Sequence, residues 1–385
     1  MGLNISPHNH IQTMRTNVIV PISLVLATYL IIACSEETDF HTRHVTSGNQ
    51  TIKQDTSAIQ MQDLPQDPPF GSWGFANEYI VGGGYSTRKD LALLWIKGWP
   101  KPITDGVTDA IATSIFISGD DVFIAGYEYE WDTYHGFYYF PNKAIVWKNG
   151  VAQPLTQGTH EAGAFSIFIW EQDVYVAGYE SNGVNLVAKV WKNGVPANLS
   201  DGSIDTYVTS MFVSDGDVYV VGYEYLAGYV EKAILWKNGV PQQLGGEAIY
   251  TSANSVFVSG MDVYVAGRSE KGAIIWKNGE AQQLSDRKNS WASSIFVESE
   301  NIYISGSELT ELGDNSYGAS KAVIWKNGVQ TDLTSGEKNA GTTSITVYGD
   351  DVYMTGYIGE NAVIWKNGIA KSLGVGSAKG IFIPK

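Results

Sequence analysis

AILWKNGVPQQL, residues 233–244, sets a Trp-Lys-Asn-Gly tetrad between two short runs of strand-forming residues. Asn-Gly supplies two successive residues that tolerate positive φ, as a two-residue type I′ hairpin requires. The stretch therefore reads as strand, tight turn, strand. The same joint returns at Trp147, Trp191, Trp276, Trp325 and Trp365, and in degenerate form around Trp95 as LALLWIKGWP. The seven tryptophans are spaced by 52, 44, 45, 40, 49 and 40 residues. A tetrad used at so regular a pitch is the joint of a building block, and it carries no site of its own.

Each unit has four parts, clearest over residues 253–284: ANSVFVSG, MDVYVAG, GAIIWKNG and EAQQL. Every part is short, rich in β-branched or aromatic residues, and bounded by Gly, Asn, Asp or Ser, which reads as four strands. A period of 40–50 residues with four strands per period is the pattern of a propeller blade. The tryptophan is then expected on a blade face, packed against the neighbouring blade.

First-strand copies begin at Ser114, Ser166, Ser210, Ser255, Ser294 and Ser344, and a seventh, KGIFIPK, ends the chain. Its missing partners stand at the other end, where NEYIVGGGY (77–85) matches DVYVAGYE and LALLWIKG follows. The expectation is an all-β, seven-bladed β-propeller of four-stranded blades over residues 71–385. One blade takes its inner strand from the C-terminus and its outer strands from residues near 76–105. Such closure removes the open sheet edges that invite aggregation.

Residues 1–33 read as a signal peptide: after Arg15 comes the apolar run TNVIVPISLVLATYLIIAC, ending in Ile31-Ile32-Ala33-Cys34. Met14 directly precedes Arg15, and a start there gives a signal of more usual length. The ending resembles the bacterial lipoprotein signal, which implies cleavage before Cys34 and lipidation of its thiol and new amine; two or three acyl chains give stable anchoring. Ser35 after the cysteine, and the acidic CSEETDF, resemble signals for outer-membrane and exterior-facing sorting. Residues 34–70 then form the lipidated cysteine and a polar tether ending in LPQDPPF, which favours extended chain. Cys34 is the only cysteine, so no internal disulfide supports the fold.

The chain of 385 residues carries 25 basic against 40 acidic residues, a formal net charge of −15. Such a surface repels phosphate backbones, so nucleic acid is not expected as a partner. Of six histidines only His135 and His160 fall within the repeats. HExxH, GxSxG, the P-loop and CxxC are all absent, so no cofactor, metal or catalytic residue is assigned. Two loop carboxylates would suffice for glycoside hydrolysis, and His160-Glu161 is the one candidate acid–base pair, for a lyase. The Asp residues that open second strands (Asp121, Asp173, Asp217, Asp262, Asp351) read as turn formers.

Turn lengths point to the working face. First-to-second turns and Asn-Gly turns are uniformly tight, whereas second-to-third connections vary and share the opposite face with the fourth-to-first ones. The longest insertion, YEWDTYHGFYYFPNK, holds Trp131, Tyr134, His135, Phe137, Tyr138, Tyr139 and Phe140. Trp131, Tyr134, His135, Tyr138 and Tyr139, with Trp291 and Tyr317 expected on loops of the same face, are the candidate ligand platform, since exposed rings stack on sugars or pack against proteins. The alternative is a satellite cluster folded over the blade edges. Glu128, Glu180 and Glu224 end second strands, while Lys143, Lys189, Lys232 and Lys321 open third strands. Cross-strand ion pairing is the plain reading; a carboxylate ring for a cation or polyol is the functional one.

The WKNG and DVYVAG motifs resemble those of WKNG-repeat β-propeller lipoproteins of Bacteroidetes-type bacteria. That resemblance covers nearly all of residues 71–385 and implies the fold and the anchor but no chemistry. The expected role is that of an outer-membrane, surface-exposed lipoprotein acting as a non-catalytic recognition module for a glycan or protein through its long-loop face, with a monomeric propeller. The alternatives are a polysaccharide-degrading hydrolase or lyase and a structural scaffold in an envelope complex.

Overall fold

A computed structural model describes residues 78–384, except 86–88, 133–136, 229, 247, 249, 314 and 315; side chains at 85, 130–132 and 137–142 are likewise outside the description. The signal peptide (1–33), Cys34 and the tether (34–70) lie outside the described residues. The described chain forms seven four-stranded antiparallel sheets arranged as a seven-bladed β-propeller. Blade 1 joins Ser377–Phe382 to Tyr79–Tyr85, Asp90–Ile96 and Trp99–Pro102. Blade 2 runs in chain order through Asp109–Ser118, Asp121–Asp132, Phe137–Lys148 and Val151–Pro154. Blades 3 to 7 occupy 162–198, 205–243, 251–283, 290–332 and 340–375. The ring closes where the repeat count places it: Phe382 pairs with Tyr79, Ile381 with Ile80 and Gly380 with Val81.

The Asn-Gly turns have the left-handed geometry that their residues allow. In the six WKNG copies the asparagines have φ of 51–53° and the glycines 79–84°, and Lys97-Gly98 (52° and 82°) repeats this in the degenerate copy. In five blades a clasp joins this turn to the second strand. In blades 2 to 5 and 7, Asn149, Asn193, Asn238, Asn278 and Asn367 donate through Nδ2 to Asp121, Asp173, Asp217, Asp262 and Asp351 at 2.7–2.8 Å. The preceding lysine pairs with the other carboxylate oxygen at 2.7–2.8 Å. It also lies 5.0–5.2 Å from the centroid of a Phe or Tyr ring on that second strand. The aspartates are thus more than turn formers. Hydrogen bonds from lysine and then asparagine hold their carboxyls below the usual range.

The seven repeat tryptophans, Trp95 to Trp365, are the largest fully buried side chains. Each fills the seam with the preceding blade: Trp147 packs with Val81 and Leu94 of blade 1, Trp276 with Val221 and Leu235 of blade 4, and Trp95 with Tyr353 and Ile364 of blade 7. Truncating so large a buried ring typically costs ~3–5 kcal/mol.

Every inner strand carries a bulge against its second strand, leaving Thr113, Phe165, Thr209, Asn254, Ser293, Thr343 and Lys379 as the extra residues. The bulge brings an inner-strand carbonyl against the second strand, and a glycine must face it. A Cβ at Gly82, Gly126, Gly178, Gly222, Gly267, Gly306 or Gly356 would meet that oxygen at 1.8–2.1 Å. The inner-strand serines then staple blade to blade. Ser114, Ser210, Ser255 and Ser294 accept the N–H of Ile167, Val256, Ile295 and Ile345 at 3.2–3.4 Å, and Ser166 accepts that of Met211 at 3.1 Å.

Candidate functional site

Inner strands start, and second strands end, on the face that carries the variable hairpins. Blade 2 has the expected insertion, as a paired ribbon in which Trp131 stands opposite Tyr138 and Glu130 opposite Tyr139. The side chains of Trp131, Tyr138 and Tyr139, and all of Tyr134 and His135, lie outside the described residues. Two further candidates differ from expectation. Tyr317 belongs to the strand Ser316–Lys326, opposite Glu311, and is 47% exposed. Trp291 is the second residue of the inner strand Ser290–Glu298, opposite Ser307. Neither is a loop residue. The flanking segments keep pairing as long as they can satisfy each other's backbone groups, which lengthens hairpins instead of loops. Arg268 lies 4.8 Å from the Trp291 ring and 5.0 Å from Tyr250, so Trp291 packs beneath a guanidinium.

The repeated glutamates divide. Glu128 pairs with Lys143 at 3.7 Å and Glu180 with Lys189 at 3.2 Å, the cross-strand arrangement. Lys321 makes the equivalent contact with Glu308 at 3.5 Å. Glu224 stands opposite Lys232 in register, but that amine donates to the carbonyl of Ala248. Among the described residues no group of three or more His, Cys, Asp and Glu converges as metal ligands would.

A different cluster occupies this face. The residue after the bulge-facing glycine is tyrosine in blades 2, 3, 4 and 7, and Tyr127, Tyr179 and Tyr223 join Phe165 and Tyr207 in one lane of rings. Successive centroids lie 5.9 Å (Tyr127–Phe165), 5.0 Å (Phe165–Tyr179), 5.6 Å (Tyr179–Tyr207) and 4.9 Å (Tyr207–Tyr223) apart. Tyr179 and Tyr207 are buried, whereas Tyr127, Phe165 and Tyr223 are partly exposed. The lane crosses three blades, so no single repeat contains it. The sequence carried its signal in the GYE triplets of blades 2 to 4 and in Phe165, which stands where most copies have Thr, Asn or Ser.

Two carboxylates border the lane. Asp205 is buried and accepts the N–H of Leu186 at 2.7 Å. Burial pushes the Glu161 carboxyl up to about 7; the Asp205 charge adds to the rise, and a hydrogen bond from Tyr179 opposes it. His160 is exposed, with Nδ1 3.1 Å from Thr159 Oγ1 and its ring beside Gly183. The two adjacent residues thus face different surroundings. Glu161, with Asp205, is the polar element of the lane.

The fold and this face define a seven-bladed β-propeller with an aromatic, acid-edged mouth. Comparison with protein families finds no match, and comparison with curated proteins finds none. Among solved structures, an acylaminoacyl peptidase of Pyrococcus horikoshii is similar at 12% identity and a TM-score of 0.46, over 78% of this chain and 51% of that one. The β-propeller domain of the Trilobed protease from Pyrococcus furiosus is similar at 12% identity and a TM-score of 0.44, over 77% of this chain and 93% of that one. The chain spans about half the length of the peptidase it matches.

Proposed function

We propose that this chain is a lipid-anchored recognition module of the outer membrane, related to the WKNG-repeat propeller lipoproteins, which presents its hairpin face to a glycan. The observation that carries the reading is the lane from Tyr127 to Tyr223, with three partly exposed rings at its surface. Ring faces take the apolar face of a sugar, and neighbouring carboxylates accept its hydroxyl hydrogens. The Trp131–Tyr138 ribbon and Tyr317 rise from the same face and would widen the platform. A glycan array probed with the full chain, and with Tyr127→Ala/Tyr223→Ala and Trp131→Ala variants, tests this. Binding that the double variant abolishes supports it. Binding that all variants retain removes the site, and a co-purifying protein with no glycan signal moves the face to a protein partner.

One observation favours a second reading, a glycan-cleaving enzyme: a carboxyl held at about 7 beside Asp205 is placed to donate a proton near neutral pH. Sugar release that disappears in Glu161→Gln while binding persists would select it.

A further inference from the structure

The seven inner-strand bulges meet around the propeller axis and line an open cavity of about 140 Å³. Its lining includes all seven bulge residues, the serines that follow six of them, and no carboxylate. At about 30 Å³ of liquid per water it has room for about four or five waters, which suits one small ion and excludes an oligosaccharide.

Six of the bulge residues are neutral. Four of these spend their donors on the next blade: Thr113 on Ala164, Thr209 on Ala253, Asn254 on Ala292 and Thr343 on Ala378, all at 2.8 Å. The seventh is Lys379. Its amine forms no ion pair or hydrogen bond among the described residues. Burial alone lowers the pKa of its amine, and no neighbouring charge contributes. Lys379 is partly buried, and a partly desolvated ammonium without a counter-charge gains from an anion brought beside it.

The serines complete the case. In Ser114, Ser210, Ser255 and Ser294 the oxygen already accepts an interblade N–H, which uses one of its two lone pairs and leaves the O–H donor to turn toward the axis. The cavity therefore combines one cation, a ring of hydroxyl donors and no competing acid. Toward the tight-turn end, Phe382, Phe116, Phe168, Phe212, Phe257 and Phe296 follow one another at 4.8–5.0 Å between centroids, an apolar floor beneath the polar ring. We propose that this axial cavity binds a small oxyanion, a phosphate, sulfate or carboxylate, held by Lys379 and the inner-strand serines. The net charge of −15 does not oppose it at short range, since charges beyond about 8 Å are screened at physiological ionic strength.

Calorimetric titration of the full chain with inorganic phosphate, sulfate, acetate and glucuronate, at constant ionic strength, tests the proposal. At least one anion is expected to give a saturable one-to-one heat. Glucuronate without acetate would mean a sugar-borne carboxylate, and the inorganic ions or acetate a free one. Lys379→Met should weaken binding at least tenfold, and Lys379→Arg should keep it within about threefold. Lys271→Met, at an exposed lysine outside the channel, should leave it unchanged. Asn254→Asp places a negative charge in the same lining as Lys379, and should abolish the heat even if the methionine variant folds poorly. No saturable heat with any of the four, or heat in Lys379→Met and Asn254→Asp that matches the parent chain, overturns the proposal.

Discussion

Ending the chain at Gly380 removes the part of the inner strand that closes the ring. Ile383 is 8% exposed, while Ile381 and Phe382 are partly buried, Phe382 lying 4.9 Å from Phe116 across the seam with blade 2. At about 1.5 kcal/mol for each partly buried side chain and about 2.5 for Ile383, the lost burial is about 5–6 kcal/mol. The pairs Tyr79–Phe382 and Ile80–Ile381 add about 1 kcal/mol of ladder hydrogen bonding. That sum approaches the stability of many whole domains. With an unfolding entropy of about 2.1 cal/mol/K per residue over about 300 residues, 6 kcal/mol corresponds to about 10 °C in Tm. Scanning calorimetry on the full chain, a chain ending at Gly380 and a control ending at Ile383 measures it. The control should melt with the full chain. A Gly380 truncation that melts within about 2 °C of the full chain would show that the terminal strand does not hold the ring shut, and the reasoning fails.

Asn238→Ala should destabilise by about 2–3 kcal/mol, because alanine must hold φ of 51° and the bonds to Val218 and Asp217 are lost; the urea midpoint reads it. Lys237→Met in the same clasp should barely move that midpoint, since its partner is solvent-exposed. Gly222→Ala would set a Cβ 1.8 Å from the Tyr207 carbonyl oxygen, so a loss above about 3 kcal/mol is expected, checked by soluble yield and proteolysis. Glu161 titrates near 7 when folded and near 4.5 when unfolded, so between these values the folded chain binds the extra proton and stability falls as pH rises. The full penalty above pH 7 is about 3 kcal/mol. Glu161→Gln should flatten that slope and raise stability above pH 7 while leaving it unchanged below 4.5; urea midpoints across the window that keep the parent slope would contradict it.

The architecture was legible because each repeat states its local structure in residue types. Asn-Gly favours the turn between Trp236 and Val240, and GIFIPK, a first-strand copy with no second strand after it, finds its match at NEYIVGGGY. The site was less legible. Trp291 and Tyr317 were expected on loops and stand in strands, since the reach of a hairpin depends on the pairing of both arms. Glu224 shares its register with Glu128, yet its lysine goes to Ala248, a choice made by a neighbouring segment.

What the sequence determined by itself, then, is whatever depends on residues close along the chain, or on counting them: the turns, the four-strand period, seven blades and their closure. Tertiary structure alone decided what depends on side chains from different blades meeting. Tyr127, Phe165, Tyr179, Tyr207 and Tyr223 become one lane, Glu161 loses water beside Asp205, and Lys379 reaches an axis ringed by serines from the other blades. Burial and proximity set the chemistry of those groups, and neither exists until the ring is closed.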